Sequence, residues 1–218
     1  MIPRTILTAT HGRYLVVPPV DPQSSSRLLV GFHGYAEPAA AEMERLQSIP
    51  NAGEWRLVAI QGMHRFYRGR SRDVVASWMT REDRELAIAD NLSYVEAVVE
   101  AVRREWGAEE RLVFAAFSQG VAMAYRAACA SAGPVSGLIS LGGDVPPELD
   151  RTALSRIPAA LLGRGSRDEW YTDQKLESDV TRLRDAGVPV TVVPLDAGHE
   201  WTAVFARAVA EFLSRVRQ

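Results

Sequence analysis

Three side chains of this 218-residue chain, Ser118, Asp168 and His199, have the types and placement for nucleophilic acyl chemistry. A serine hydroxyl is a poor nucleophile near neutral pH, so it needs a base to take its proton and a third group to orient that base. Ser118 ends the apolar run RLVFAAF and stands between the small residues Ala116 and Gly120, with the helix-compatible stretch VAMAYRAACA directly after it. That order predicts strand, sharp turn, helix. Such a junction projects the hydroxyl from a sheet edge and accepts only small residues two before and two after the serine.

The base and the acid come from later turns. His199 lies in LDAGHEW, where Gly198 lets the loop carry the imidazole back over the sheet edge, and Asp168 lies in LLGRGSRDEWY, in the turn after the preceding strand. Other acids compete: Glu169 is adjacent, Asp173 is placed to cap the next helix, and Asp196 is close to His199. Asp168 is preferred because it falls just past a strand. Among the other histidines, His11 suits a hairpin turn and His64 a polar loop, and His33 suits bracing its own loop better than acting as a base. The lone cysteine, Cys129, reads as a small buried apolar residue and has no partner for an internal disulfide.

A tetrahedral oxyanion needs donors already in place, and backbone amides serve because the fold fixes them. One is expected from Gln119. The other is expected from Tyr35 in GFHGYAEP, where Gly34 permits an unusual backbone conformation. Tyr35, Phe66, Tyr67, Trp78, Met79, Trp170, Tyr171 and Trp201 flank the predicted strand ends and are expected to line an apolar groove for an acyl chain. The basic stretch HRFYRGRSR reads as a solvated loop.

For these groups to meet, all three must leave the carboxyl ends of neighbouring parallel strands. Short apolar runs predict strands at 27–33, 55–61, 111–117, 135–142, 157–163 and 188–195, with helices at 38–48, 81–106, 119–131, 172–186 and 201–216. An antiparallel hairpin is expected to open the chain, with strands at 4–10 and 12–18 and His11 and Gly12 between them. In the longest helix, Leu86, Ala89, Leu92, Val95, Val98, Val99 and Val102 define the buried stripe, Thr80 with Asp83 caps the start, and Gly107 ends it. Only the connections 62–80 and 144–156 are long enough to shape a site, and neither is large enough for a cap domain. The expectation is one α/β domain over 1–218, with a mostly parallel sheet of about eight strands between helical layers.

Composition removes other classes of function. Hydrophobic residues make up 47% and charged residues 24%, and the net charge is −2, so the chain is an ordinary globular one with no case for a nucleic-acid partner. No uninterrupted apolar run reaches about 18 residues and no secretory core opens the chain, which argues against membrane insertion and for a cytoplasmic protein.

The segments HGY at 33–35, SWM at 77–79, AFSQG at 116–120, LGGDVP at 141–146, GSRD at 165–168 and GHEW at 198–201 resemble the α/β-hydrolase superfamily. The order serine, acid, histidine is that superfamily's order too. Within it the chain is similar to the small, capless phospholipase/carboxylesterase group that includes acyl-protein thioesterases. The resemblance implies a three-layer α/β-hydrolase fold and a serine hydrolase of carboxylic esters or thioesters acting on a small-molecule substrate, with no cofactor and no metal. It implies that Ser118 attacks the carbonyl, His199 protonates the leaving alcohol or thiol, and water releases the acid. The same three residues also serve an acyltransferase or a peptidase, whereas a non-catalytic binding protein has no need of all three. A homodimer is compatible with all of these readings. Two departures stand out: Ala116 replaces the usual first glycine of the serine motif, and Ala36 stands where the group commonly has a second glycine.

Overall fold

The computed structural model describes residues 1–21, 27–107 and 111–216. Aliphatic runs of five to seven residues form the strands of the main sheet: β1 (Arg13–Val17), β2 (Arg27–Phe32), β3 (Arg56–Gln61), β6 (Arg111–Phe117), β7 (Gly137–Leu141), β8 (Ala160–Gly165) and β9 (Val190–Leu195). Longer amphipathic segments form α1 (Ala39–Gln47), α2 (Arg84–Trp106), α3 (Gln119–Ala130), α5 (Asp173–Asp185) and α6 (Ala203–Arg215), and α4 (Arg151–Leu154) is a single turn. Among the described residues the main sheet has seven strands in the order β1-β3-β2-β6-β7-β8-β9. Only β1 runs antiparallel, against β3. The others are parallel neighbours, so every βα turn emerges on one edge.

The central strands are buried on both faces, which is why they read as continuous apolar runs and not as alternating ones. One face packs with α2, α3 and α5 through residues such as Val98, Val102, Phe114, Tyr125 and Leu183. The other packs with α1 and α6 through Leu46, Phe205, Val209 and Phe212. The result is the three-layer α/β-hydrolase fold, with no cap domain evident among the described residues. No helix among them is long and apolar enough to cross a membrane.

The structure departs from the sequence pattern in three places. Residues 4–10 form no strand, and Ile6 and Leu7 stand 91% and 90% exposed, so the expected hairpin reduces to β1 alone. A strand needs a ladder partner as well as propensity, and β1 itself occupies the outer edge of β3. The connection 62–80 holds a second small sheet, β4 (His64–Tyr67) against β5 (Val74–Ser77), which sets His64 on an exposed strand and not in a loop. In α2 the stripe rotates at its start: Ala87, Ile88 and Asn91 turn inward, while Leu86 and Ala89 are exposed. Asp83 enters that helix in the left-handed region (φ 49°) and makes no side-chain cap, and Thr80 Oγ1 donates to Glu82 O instead. Gly107, at φ 87°, does end it.

Candidate active site

β6 delivers Ser118 into a turn with φ 52° and ψ −121°, and α3 begins at the next residue. A non-glycine residue in the left-handed region costs about 1–3 kcal/mol and persists only where its surroundings hold it. Here the Ser118 amide donates to Leu141 O (2.9 Å) and its carbonyl accepts from the Val121 amide (3.0 Å). The turn also needs close backbone approach. A Cβ on Gly120 would lie 2.2 Å from Phe32 O, and one on Gly143 would lie 2.4 Å from Ser118 O. Ala116 is fully buried in β6 between Phe32 of β2 and Ser140 of β7, so its methyl fits the sheet without disturbing the turn.

The loops after β8 and β9 bring two more side chains to this point. His199 Nε2 lies 2.8 Å from Ser118 Oγ, and Nδ1 lies 2.7 Å from Asp168 Oδ2. A carboxylate only accepts, so Nδ1 carries the ring proton and Nε2 is left to accept a hydrogen bond from the Ser118 hydroxyl. Asp168 is 4% exposed, and its second oxygen accepts from the amides of Trp170 (2.9 Å) and Tyr171 (3.0 Å). Burial alone would raise its pKa, but the Tyr171 amide, His199 and the Trp170 amide together hold it below the usual carboxylate value. The other acids lie elsewhere: Asp173 pairs with Arg164 (2.6 Å), Asp196 pairs with Arg167, and Glu169 is exposed.

His33 is buried with both ring nitrogens engaged: Nδ1 donates to Gly34 O (2.7 Å) and Nε2 accepts from the Gly62 amide (2.9 Å). Burial pushes its pKa down, and the neutral ring braces its loop. His11 and His64 are exposed. Among the described residues, neither the Tyr35 amide nor the Gln119 amide donates to a protein acceptor. Ala36 adopts φ 57°, a conformation that glycine takes at no steric cost, and its amide is held by Ala76 O (3.0 Å). The Gln119 side chain ties the serine turn to the end of β5, accepting from the Trp78 amide (3.0 Å) and donating to Ser77 Oγ (3.0 Å).

Sequence reasoning missed the support beneath the loop that follows β2. Glu37 Oε2 accepts from the Gly34 amide (2.8 Å) and from Arg45 Nη1 (2.8 Å), while Glu37 Oε1 accepts from Arg45 Nη2 (2.5 Å). Arg45 also reaches Glu42 (3.0 Å) and lies 4.2 Å from the centroid of the Phe117 ring, which in turn packs 4.9 Å from the His199 ring. Glu42 is wholly buried, and burial pushes its pKa up to about 8 in spite of Arg45, so it carries a proton at neutral pH. In sequence, a Glu and an Arg three apart on a helix read as a surface pair.

A groove of 640 Å³ opens over Ser118, and of the expected aromatic and apolar residues Tyr35, Met79, Trp170 and Tyr171 line it. Trp78 does not: it is fully buried, donates from Nε1 to His33 O (2.8 Å) and packs on Phe32. Large apolar side chains close to a strand end fill core as readily as cleft, and nothing local separates the two. Phe66 packs against Tyr35 (5.8 Å) outside the groove, and Tyr67 is exposed on β4. Trp201 lines a separate 670 Å³ cavity on the other side of His199, with Phe117 and Arg45. Tyr171 is nearly buried, and its hydroxyl donates to Asp179 (3.0 Å), which also accepts from the Val145 amide (3.0 Å) and so ties down the groove wall.

Residues 49–217 match a family model described as Phospholipase/Carboxylesterase. Solved structures with the same fold include a carboxylesterase from Mesorhizobium loti (21% identity, 97% of this chain and 98% of that one, TM-score 0.76). The Bacillus cereus carboxylesterase is similar at 13% identity, over 94% of this chain and 95% of that one, with a TM-score of 0.74. Arabidopsis thaliana SOBER1 is similar at 15% identity, over 87% of this chain and 98% of that one, with a TM-score of 0.70. No curated protein matches.

Proposed function

Since this chain belongs to the phospholipase/carboxylesterase family and is an esterase-type hydrolase, we propose that it cleaves carboxylic esters, and thioesters by the same route, through an acyl-enzyme on Ser118. The observation that carries the assignment is the unbroken row Ser118 Oγ, His199, Asp168, with spacings of 2.8 and 2.7 Å at the carboxyl edge of the sheet.

In this reading Ser118 Oγ attacks the substrate carbonyl while His199 Nε2 takes the hydroxyl proton. Asp168 keeps Nδ1 protonated and stabilises the imidazolium that forms. The oxyanion is met by the amides of Tyr35 and Gln119, which supply charge stabilisation without reorganising. When the intermediate collapses, His199 returns its proton to the departing alcohol or thiol. A water then attacks the acyl-enzyme, deprotonated by the same nitrogen, and the acid leaves with Ser118 restored. Tyr35, Met79, Trp170 and Tyr171 flank the acyl group in the groove.

The test is covalent. A fluorophosphonate is expected to label the native protein on Ser118, and Ser118→Ala is expected to lose both labelling and about 10⁴-fold or more of nitrophenyl-ester turnover. Undiminished turnover in that variant would overturn the assignment.

A further inference from the structure

Helix α3 runs away from the nucleophile along the groove, and Ala122 and Arg126, four and eight residues beyond Ser118, both line it. Arg126 is a residue of unusual standing. Its side chain is 4% exposed, and its Nε (2.7 Å) and Nη2 (2.5 Å) both go to one oxygen of Glu148. Its Nη1 is buried without a hydrogen-bond partner. A buried donor left unmade is costly, and more so on a charged group, so such an atom marks a place where an acceptor belongs.

The charges around it define which acceptor. Arg84 also lines the groove, with Nη2 4.0 Å from the same Glu148 oxygen and Nη1 2.9 Å from Glu85, which is itself 84% exposed. Lys175 and Asp144, the other charged lining residues, pair with each other at 3.2 Å. Arg84 thus divides between Glu85 and Glu148, whereas the one carboxylate recorded against Arg126 among the described residues is the exposed Glu148, and Arg126 keeps a donor for one further acceptor. Eight helical residues span about 12 Å along the axis, and helical side chains lean back toward the N-terminus, which shortens the gap.

Building on the esterase reading above, we propose that the groove accepts an acyl chain ending in a carboxylate, the half-ester of a medium-length dicarboxylic acid. The distal carboxylate takes the Arg126 Nη1 hydrogen while the scissile carbonyl lies at Ser118. Ala122, small and midway, leaves the space through which the methylenes pass. A phosphate dianion is disfavoured because Glu148 lies against the same guanidinium.

The test compares the mono-4-nitrophenyl ester of adipic acid with its methyl-capped neutral counterpart at pH 7.5. The two share leaving group and chain length and differ in charge. The anionic ester is expected to have a kcat/KM about tenfold higher, chiefly through KM, which is the low end of what a hydrogen bond to a charged group contributes. That ratio is expected to fall to about one in Arg126→Met and to be partly kept in Arg126→Lys. A wild-type ratio of one or less overturns the proposal, as does a preference that survives in Arg126→Met. If that variant does not fold, competitive inhibition of the wild type by monomethyl adipate against dimethyl adipate decides, and equal inhibition overturns it. If the native protein turns over the neutral ester and a fluorophosphonate labels and inactivates it at Ser118, but no charge preference is seen, this inference alone is sunk. Neither labelling nor turnover sinks the esterase reading as well.

Discussion

Two arginines, one part-buried and one buried, lie near the Ser118 turn, and they are paired very differently. Arg45, on α1 beneath the loop that follows β2, is 15% exposed and shared between Glu37 and Glu42, and its guanidinium lies over the Phe117 ring. Arg126, on α3 in the groove, meets one oxygen of one carboxylate and keeps a buried N–H unmatched. A guanidinium that holds a fold together is surrounded by its acceptors before any ligand arrives. One that recognises a ligand must leave a donor unspent. The contrast therefore separates a positioning region from a recognising one within a single site.

Both regions act on the centre between them, so the deepest break is at that centre. Asp168→Asn removes the acceptor that sets the His199 tautomer and is expected to lower kcat by about 10⁴-fold, measured on any ester, with the fold retained by circular dichroism. On the positioning side, Arg45→Met strands Glu37 and the Gly34 amide it holds. We expect about 3–5 kcal/mol of stability to be lost in urea unfolding, and kcat for charged and neutral esters to fall together. If Arg45→Met altered only the ratio between the two esters, the distinction between the two arginines would collapse.

A pH experiment sharpens the same contrast. Glu42 has its pKa raised from 4.5 to about 8 in the folded chain, so between those values the folded state holds a proton that the unfolded state has released. Stability from this group therefore falls as pH rises through that window. Glu42→Gln is expected to flatten that slope, gaining on wild type in Tm from pH 5 to pH 8 by roughly 2–4 °C for each kcal/mol of penalty removed. Parallel Tm curves for the two proteins would show that Glu42 does not titrate there. The smallest effect is expected at Asp196, whose carboxylate is 91% exposed beside Arg167. Asp196→Asn should leave kcat unchanged and Tm within about a degree, because an exposed pair contributes little. A large loss of kcat would instead make it, and not Asp168, the acid.

Much of the architecture can be read from short windows. The central strands of the parallel sheet are apolar on both faces, and the observed β6 coincides with the expected 111–117, because burial on two sides leaves a continuous signature. The N-terminal segment misleads for the converse reason. Residues 4–10 carry strand-like alternation, but an edge is available only once the sheet exists, and β1 takes it. The hairpin β4–β5 is short and half-polar, so its two runs read as loop. Trp78 and Trp170 look alike in sequence, yet one is fully buried and the other 75% exposed, since depth is a property of what packs above a residue.

By itself the sequence determined a serine at a strand-to-helix turn, with an acid and a histidine after later strands, because each depends on a few adjacent residues and the spacing between elements. Only the tertiary structure decided the distances among them, the wall of the groove, and the partners of Arg45 and Arg126. Those depend on residues far apart in the chain. Whether a buried charge is satisfied is a count of neighbours, and neighbours exist only after the sheet and its helices have closed around it.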